Sequence, residues 1–148
     1  VQDDFTINEI SLDGFNVVRG QYFSRSIEPS LTIWDSSISF SMAAYTALNS
    51  CDAVEILVNV EKRSIIVKPV PSKDRDAVNW VRNPDNYKYK KIECSKFTRQ
   101  LYDIWGWDKE LHYRTNGKLV KADKKLMLLF DFTTPEIWRG LKMVSEFE

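Results

Sequence analysis

One order of elements occurs twice along this chain, and that recurrence limits the folds open to it more than any other feature. In the first copy Leu31–Trp34 is a short β-rich run and Asp35-Ser36-Ser37 is turn-forming. Ile38-Ser39-Phe40 then returns with apolar and polar residues in alternation, the period of a half-buried strand. Ser41 stands where a helix N-cap belongs, its hydroxyl able to accept a hydrogen bond from a first-turn N–H, and Met42–Leu48 follows with good helix formers. Val54–Val60 and Ser64–Val70 read as a second hairpin about Glu61-Lys62-Arg63, with Pro69 and Pro71 closing it at a sheet edge.

The second copy repeats this order. Ala77–Arg82 is a strand, Asn83-Pro84-Asp85-Asn86 a strong turn signal and Tyr87–Cys94 the returning strand. Ser95 is the matching N-cap, opening a helix over Lys96–Trp105 whose apolar residues Phe97, Leu101, Ile104 and Trp105 recur at helical spacing. Gly106 is placed to end it in the left-handed conformation. Leu111–Val120 and Lys125–Phe132 complete the unit about Ala122-Asp123-Lys124. At an offset of 54 residues, Ile38-Ser39-Phe40-Ser41 lies over Ile92-Glu93-Cys94-Ser95. Identity is slight, so element order and the repeated serine carry the reading. An ordinary mixed domain with two unrelated hairpins is the alternative.

The ends are less regular. Residues 1–14 are acidic and aperiodic, an expected arm; Phe15–Phe23 is β-rich and expected to cover an edge. Thr134-Pro135 resembles a helix start, and Ile137, Leu141 and Val144 make an apolar stripe after it. The expected organisation is an arm over 1–14, a single domain over 15–133 built from repeats 31–70 and 77–132, and a C-terminal helix over 134–148. The fold class is α+β, mainly β.

With 148 residues, 43% of them hydrophobic, one core able to bury roughly 70% of the unfolded surface is expected. Net charge is zero, which excludes a long-range pull of the whole molecule toward polyanions. The charges are nevertheless segregated: Val1–Ser36 carries a net of −4, and Lys73–Arg99 a net of +4. Cys51 and Cys94 fit neither a metal spacing nor a secreted disulfide framework. No apolar run approaches the ~20 residues needed to cross a bilayer. The expectation is a cytoplasmic protein with free thiols and no membrane partner.

The segments ISFSMAAYTAL and VEILVNVEKRSIIVKPV, and more loosely KIECSKFTRQLYDIWG, LHYRTNGKLV and KLMLLFDF, resemble the AbrB/SpoVT family of bacterial transition-state regulators and antitoxins. The resemblance implies a swapped-hairpin barrel in which two units interlock, here within one chain as in MraZ-like members, making the fold pseudo-dimeric. It also implies DNA binding through basic residues on the first hairpin, its turn and the start of the helix. The first unit departs from that pattern, with no arginine in Asp35-Ser36-Ser37 or Ala43-Ala44-Tyr45. Met42 and Lys96 stand where the family often has proline. Over nearly the whole chain, FNVVRGQYFSR, EPSLTI and YDIWGWDKELHYRTNGKLV also look like an uncharacterised Firmicutes family found near mobile elements and sometimes labelled integrase. A single histidine gives integrase chemistry no support.

The second unit keeps a basic complement of Arg82, Lys88, Lys90, Lys91, Lys96 and Arg99, the candidate nucleic-acid-binding residues. Strand alternation puts Tyr87, Tyr89 and Lys91 on one face and Lys88, Lys90 and Ile92 on the other. Lysines beside aromatics suit phosphate contact and base stacking; they equally guard an exposed edge strand against aggregation. His112 has no nucleophile or further ligands at a suggestive spacing, so an interface or half-buried histidine is the plainer reading. Cys94 precedes a helix start that could lower its pKa, but it overlies Phe40, which favours a core role. Tyr102, Trp105 and Trp107 are either a ligand-stacking wall or a seal between helix and sheet. No catalytic constellation, metal site or cofactor motif stands out. The expected function is a non-enzymatic DNA-binding or regulatory protein acting on double-stranded DNA. The alternative is a protein-interaction or accessory module of a mobile genetic element, contacting a protein through the C-terminal helix or the acidic arm.

Overall fold

Alternation becomes strand wherever it was clearest. The computed structural model describes residues 8–18, 28–80 and 91–144. In chain order these form β1 (Ser30–Ile33), β2 (Ser37–Phe40), α1 (Met42–Ala47), β3 (Ala53–Asn59), β4 (Ser64–Val70), β5 (Val78–Asn79), β6 (Lys91–Glu93), α2 (Ser95–Trp105), β7 (His112–Ala122), β8 (Lys125–Asp131), β9 (Glu136–Arg139) and β10 (Lys142–Met143). Among the described residues the fold is mainly β, with 43% strand and 14% helix, in an antiparallel sheet curled into a half-barrel.

The strands run β5-β3-β4-β8-β7-β1-β2-β6, with β9 added to β7 and β10 to β9. Strand β7 ties the sheet together. Its residues 113–116 pair with β1, while its other edge takes β9 at 112–114 and β8 at 117–122. The β2–β6 ladder is centred on Ile38 opposite Ile92, flanked by Ser37 opposite Glu93 and Ser39 opposite Lys91. Pro69 is opposite Val54 on β3 but lies past the Ser64–Val67 stretch that meets β8. Its missing N–H is therefore tolerated in what is otherwise an inner strand.

The concave face is filled by one cluster that draws on every part of the described sheet, including Leu31, Ile33, Ile38, Phe40, Val54, Ile65, Val67, Leu128, Phe130 and Phe132. Ser41 caps α1, its hydroxyl accepting from the Ala44 N–H at 3.2 Å. Gly106 ends α2 at φ +68°. Trp80 closes one end of the core edge-on to Phe40 and Tyr45, donating to the Cys51 carbonyl at 2.8 Å.

Four expectations are corrected. The C-terminal helix expected over 134–148 is, through residue 144, a β-hairpin. Glu136–Arg139 extends the edge of β7 that β8 has just left, Ile137 packs inward, and Gly140 at φ +58° opens a two-residue loop before Lys142. A β-branched and aromatic pair beside an open edge outweighs the helical spacing of the stripe, leaving Leu141 99% exposed at the loop. The second N-cap is Cys94 rather than Ser95, and it makes no side-chain cap bond. The inward face of α2 is Thr98, Leu101, Tyr102 and Trp105, with Ile104 turned out. The strand expected over Phe15–Phe23 is not formed over residues 15–18, which are exposed. The turn at Asn83-Pro84-Asp85-Asn86 and the segment Tyr87–Lys90 lie outside the described residues.

Candidate nucleic-acid interface

Residues paired directly across antiparallel strands share a face. Because Leu31, Ile33 and Ile38 point into the core, their neighbours in sequence point out. One outward row crosses five strands as Glu136, Arg114, Thr32, Ser39 and Lys91. The next row carries Trp138 opposite His112 on β9 and β7, and Ser37 opposite Glu93 on β2 and β6. Trp34 sits between them, stacked on His112 with ring centroids 5.2 Å apart and planes at 28°. His112 lies at 11° and 6.4 Å from Trp138. Lys91 reaches diagonally between the rows, its Nζ 4.1 Å from the centre of the Trp34 ring, a cation–π contact.

This face is fixed at its margins. Arg114 donates to Glu136 at 2.9 Å, and Trp138 Nε1 donates to the other Glu136 oxygen at 3.1 Å. One carboxylate thus orients both the arginine and the outermost ring. Arg139 pairs with Glu110 at 3.1 Å in solvent, a contact worth little. Between Trp34, Lys91, Lys109, His112, Gly140 and Leu141 lies a cleft of about 410 Å³, within the range of ordinary ligand clefts.

Helix α2 is bolted to the tip of the β1–β2 hairpin. The Cys94 N–H donates to the Ser36 carbonyl at 3.0 Å, and Thr98 Oγ1 donates to the Asp35 carbonyl at 2.7 Å. The first turns of α2, with exposed Lys96 and Arg99, are thereby held beside the Trp34 end of the aromatic row. Among the described residues neither Lys96 nor Arg99 is in an ion pair. Three of the six basic residues singled out in the sequence, Lys91, Lys96 and Arg99, are exposed on β6 and the first turns of α2. Arg82, Lys88 and Lys90 lie outside the described residues.

The remaining candidates resolve plainly. Tyr102, Trp105 and Trp107 seal α2 to the sheet: Trp107 stacks on Tyr113 at 4.0 Å, and Trp105 Nε1 donates to the Val60 carbonyl at 3.1 Å. Tyr102 OH lies 3.1 Å from the Ile33 carbonyl and 2.7 Å from that of Leu111. Burial, with nearby Tyr113, Asp35 and Asp108, raises its pKa far above the ordinary phenol. Burial and the adjacent Glu93 push the Cys94 thiol up to about 11, the reverse of an activated nucleophile. His112 is held below its ordinary pKa by burial and by Lys91, so at neutral pH it is an uncharged ring. Cys51 and Cys94 are free. Among the described residues no three His, Cys, Asp or Glu side chains could share a metal ion, and no helix is long and apolar enough to cross a membrane.

Trp34, Trp138 and Lys109 were not singled out from the sequence. The outward period of each strand marks Trp34 and Trp138 as solvent-side, but only the pairing of β1, β7 and β9 aligns them with His112. Comparison with family models, curated proteins and solved structures returns no match for this chain.

Proposed function

We propose that the chain is a non-enzymatic DNA-binding protein of regulatory type, built as a pseudo-dimeric swapped-hairpin barrel within one chain and using a lopsided basic face. The strand order supports the architecture. Exchanging β1, β2, β3 and β4 with β5, β6, β7 and β8 carries the β3–β4 pairing onto β7–β8 and returns β4–β8 and β2–β6 to themselves, and β1 on β7 is answered by β5 on β3. The β2–β6 ladder places Ile38 against its counterpart Ile92, as a two-fold between two copies requires. Each unit lends strands to the other, which is the sense in which the hairpins are swapped. This supports the resemblance to AbrB/SpoVT-type regulators.

The observation that carries the DNA reading is the grouping of exposed Lys91, Lys96 and Arg99 at the junction of β6 and α2. These positions answer to the hairpin and helix start that contact DNA in that family. Sequence-independent phosphate contact is the role their chemistry suits. Neutralising three phosphates gives a log–log salt slope of about −2.7, so affinity for random duplex falls roughly 40-fold between 50 and 200 mM salt. Fluorescence anisotropy measures this directly. The reading fails if binding is absent or indifferent to salt, or if Lys91→Glu/Lys96→Glu/Arg99→Glu binds like the parent while keeping its melting temperature.

The second reading, an accessory module binding protein rather than DNA, is favoured by the exposed apolar residues Ile10 and Leu12 of the arm and Phe15 and Val17 just after it. Under it the duplex titration is flat at every salt concentration.

A further inference from the structure

The basic junction leaves the aromatic row unexplained. Trp34, His112 and Trp138 are outside the core: the inward positions of their strands are already filled by Ile33, Tyr113 and Ile137. All three rings are half-buried on the outer face, where cross-strand packing alone would account for a stacked pair. It does not account for what surrounds them. A cleft of about 410 Å³ opens beside Trp34 and His112, with Lys91 and Lys109 on its walls and Leu141, 99% exposed, at its rim. The walls also carry Asp35 and Glu110, the latter engaged by Arg139.

We infer that this cleft receives an unpaired base of single-stranded nucleic acid, held against the Trp34 and His112 rings that line it, with its phosphates against Lys91 and Lys109. The inference rests on the nucleic-acid reading above and deepens it, since it assigns the single strand to a cleft beside the duplex-binding turns of α2, with Lys91 shared between the two.

Four features favour this ligand. Every base has a π-face, so a row of flat side chains beside cations is how single strands are held without sequence preference. His112 is kept uncharged at neutral pH by burial and by Lys91, so it offers a stacking surface without an ammonium-like hydration shell. Lys91 is exposed yet held over Trp34 at 4.1 Å, within reach of a phosphate in the cleft. The Thr98–Asp35 and Cys94–Ser36 hydrogen bonds join the basic turns of α2 to the Trp34 end of the row. One strand leaving a duplex end at Lys96 and Arg99 would run onto the rings.

The test uses the whole chain and three labelled probes: a blunt random duplex, a single-stranded thymidine decamer, and the same decamer carrying abasic sites at its centre. Anisotropy and intrinsic tryptophan fluorescence are read together. The decamer is expected to bind and to quench tryptophan emission. Trp34→Ala and His112→Ala are each expected to weaken the decamer by roughly 5- to 150-fold, the range for loss of one stacking side chain, and His112→Ala should keep duplex affinity within about twofold of the parent. Trp34→Phe should recover most of the loss, and the abasic decamer should bind as poorly as Trp34→Ala. Melting curves identify a variant that has lost its fold, in which case the phenylalanine variant and the abasic probe decide. Duplex binding with an unbound decamer, or with an abasic decamer that binds as well as the intact one, overturns this inference and leaves the duplex reading standing. Failure of all three probes overturns both.

Discussion

Gly117 is the one described glycine where an added Cβ would collide with the core, and Gly117→Ala tests the packing of the half-barrel directly. It lies opposite Phe130 where β7 passes from β1 to β8. A Cβ placed there would sit 2.6, 2.8 and 2.9 Å from three carbons of the Phe130 ring. Ordinary contact begins near 3.4 Å, so the ring must retreat by roughly 0.8 Å. It has nowhere to go: Phe130 is fully buried and tilted against Phe40, which is edge-on to Trp80. Forcing one methyl into a packed core costs about 1–3 kcal/mol. Restricting the unfolded chain returns about 0.4–1 kcal/mol. A net loss of about 1.5 kcal/mol corresponds to a fall in Tm of roughly 3–6 °C for a chain of this size. Thermal and urea unfolding followed by circular dichroism measure it. In Gly117→Ala/Phe130→Leu the shorter side chain relieves the collision, so the double variant should be at least ~1 kcal/mol more stable than the two single losses added together. A Gly117→Ala protein that melts at or above the parent, or strictly additive losses, would refute the packing described here.

Other outcomes follow from single groups. Tyr102→Phe removes the donor shared by the Ile33 and Leu111 carbonyls and should cost about 1–3 kcal/mol, read from the urea midpoint at unchanged m-value. Cys94, with its thiol near 11 against an ordinary 9.0, should react with a disulfide reagent at pH 7.5 roughly 100-fold more slowly than a free cysteine in a Cys51→Ser background. His112 has a folded pKa below its ordinary 6.5, so the unfolded chain binds more protons as pH falls through 6.5. Stability from this group is complete above that pH and is lost as pH drops toward the depressed folded value. His112→Phe should remove that part of the pH–stability profile, and an unchanged profile would count against the environment assigned to His112.

Much of this architecture could be read from local pattern. The hairpins at Ser30–Phe40, Ala53–Val70 and His112–Asp131, the Ser41 cap and the Gly106 stop rest on two-residue alternation and on capping chemistry, and both act within a few residues. The C-terminal segment shows the limit of that legibility. Ile137, Leu141 and Val144 have helical spacing, but the edge of β7 beyond β8 offers unpaired backbone groups, and the chain takes them. Helix α2 shows it differently. Hydrophobicity alone turns Ile104 inward, whereas the helix leaves it exposed and buries Thr98 and Tyr102, for whose hydroxyls Asp35, Ile33 and Leu111 supply carbonyl acceptors.

By itself, then, the sequence determined most of the short strands and both helices, and that positive charge gathers along the segment that holds Lys91, Lys96 and Arg99. Those properties depend on neighbours along the chain. The tertiary structure decided the register that sets Ile38 against Ile92, the sheet edge that turned an expected helix into β9 and β10, and the alignment of Trp34, His112 and Trp138. These rings are brought together by pairings among β1, β7 and β9, strands far apart in sequence. Which row of side chains a register aligns depends on all the strands packing at once, and no local pattern contains that information.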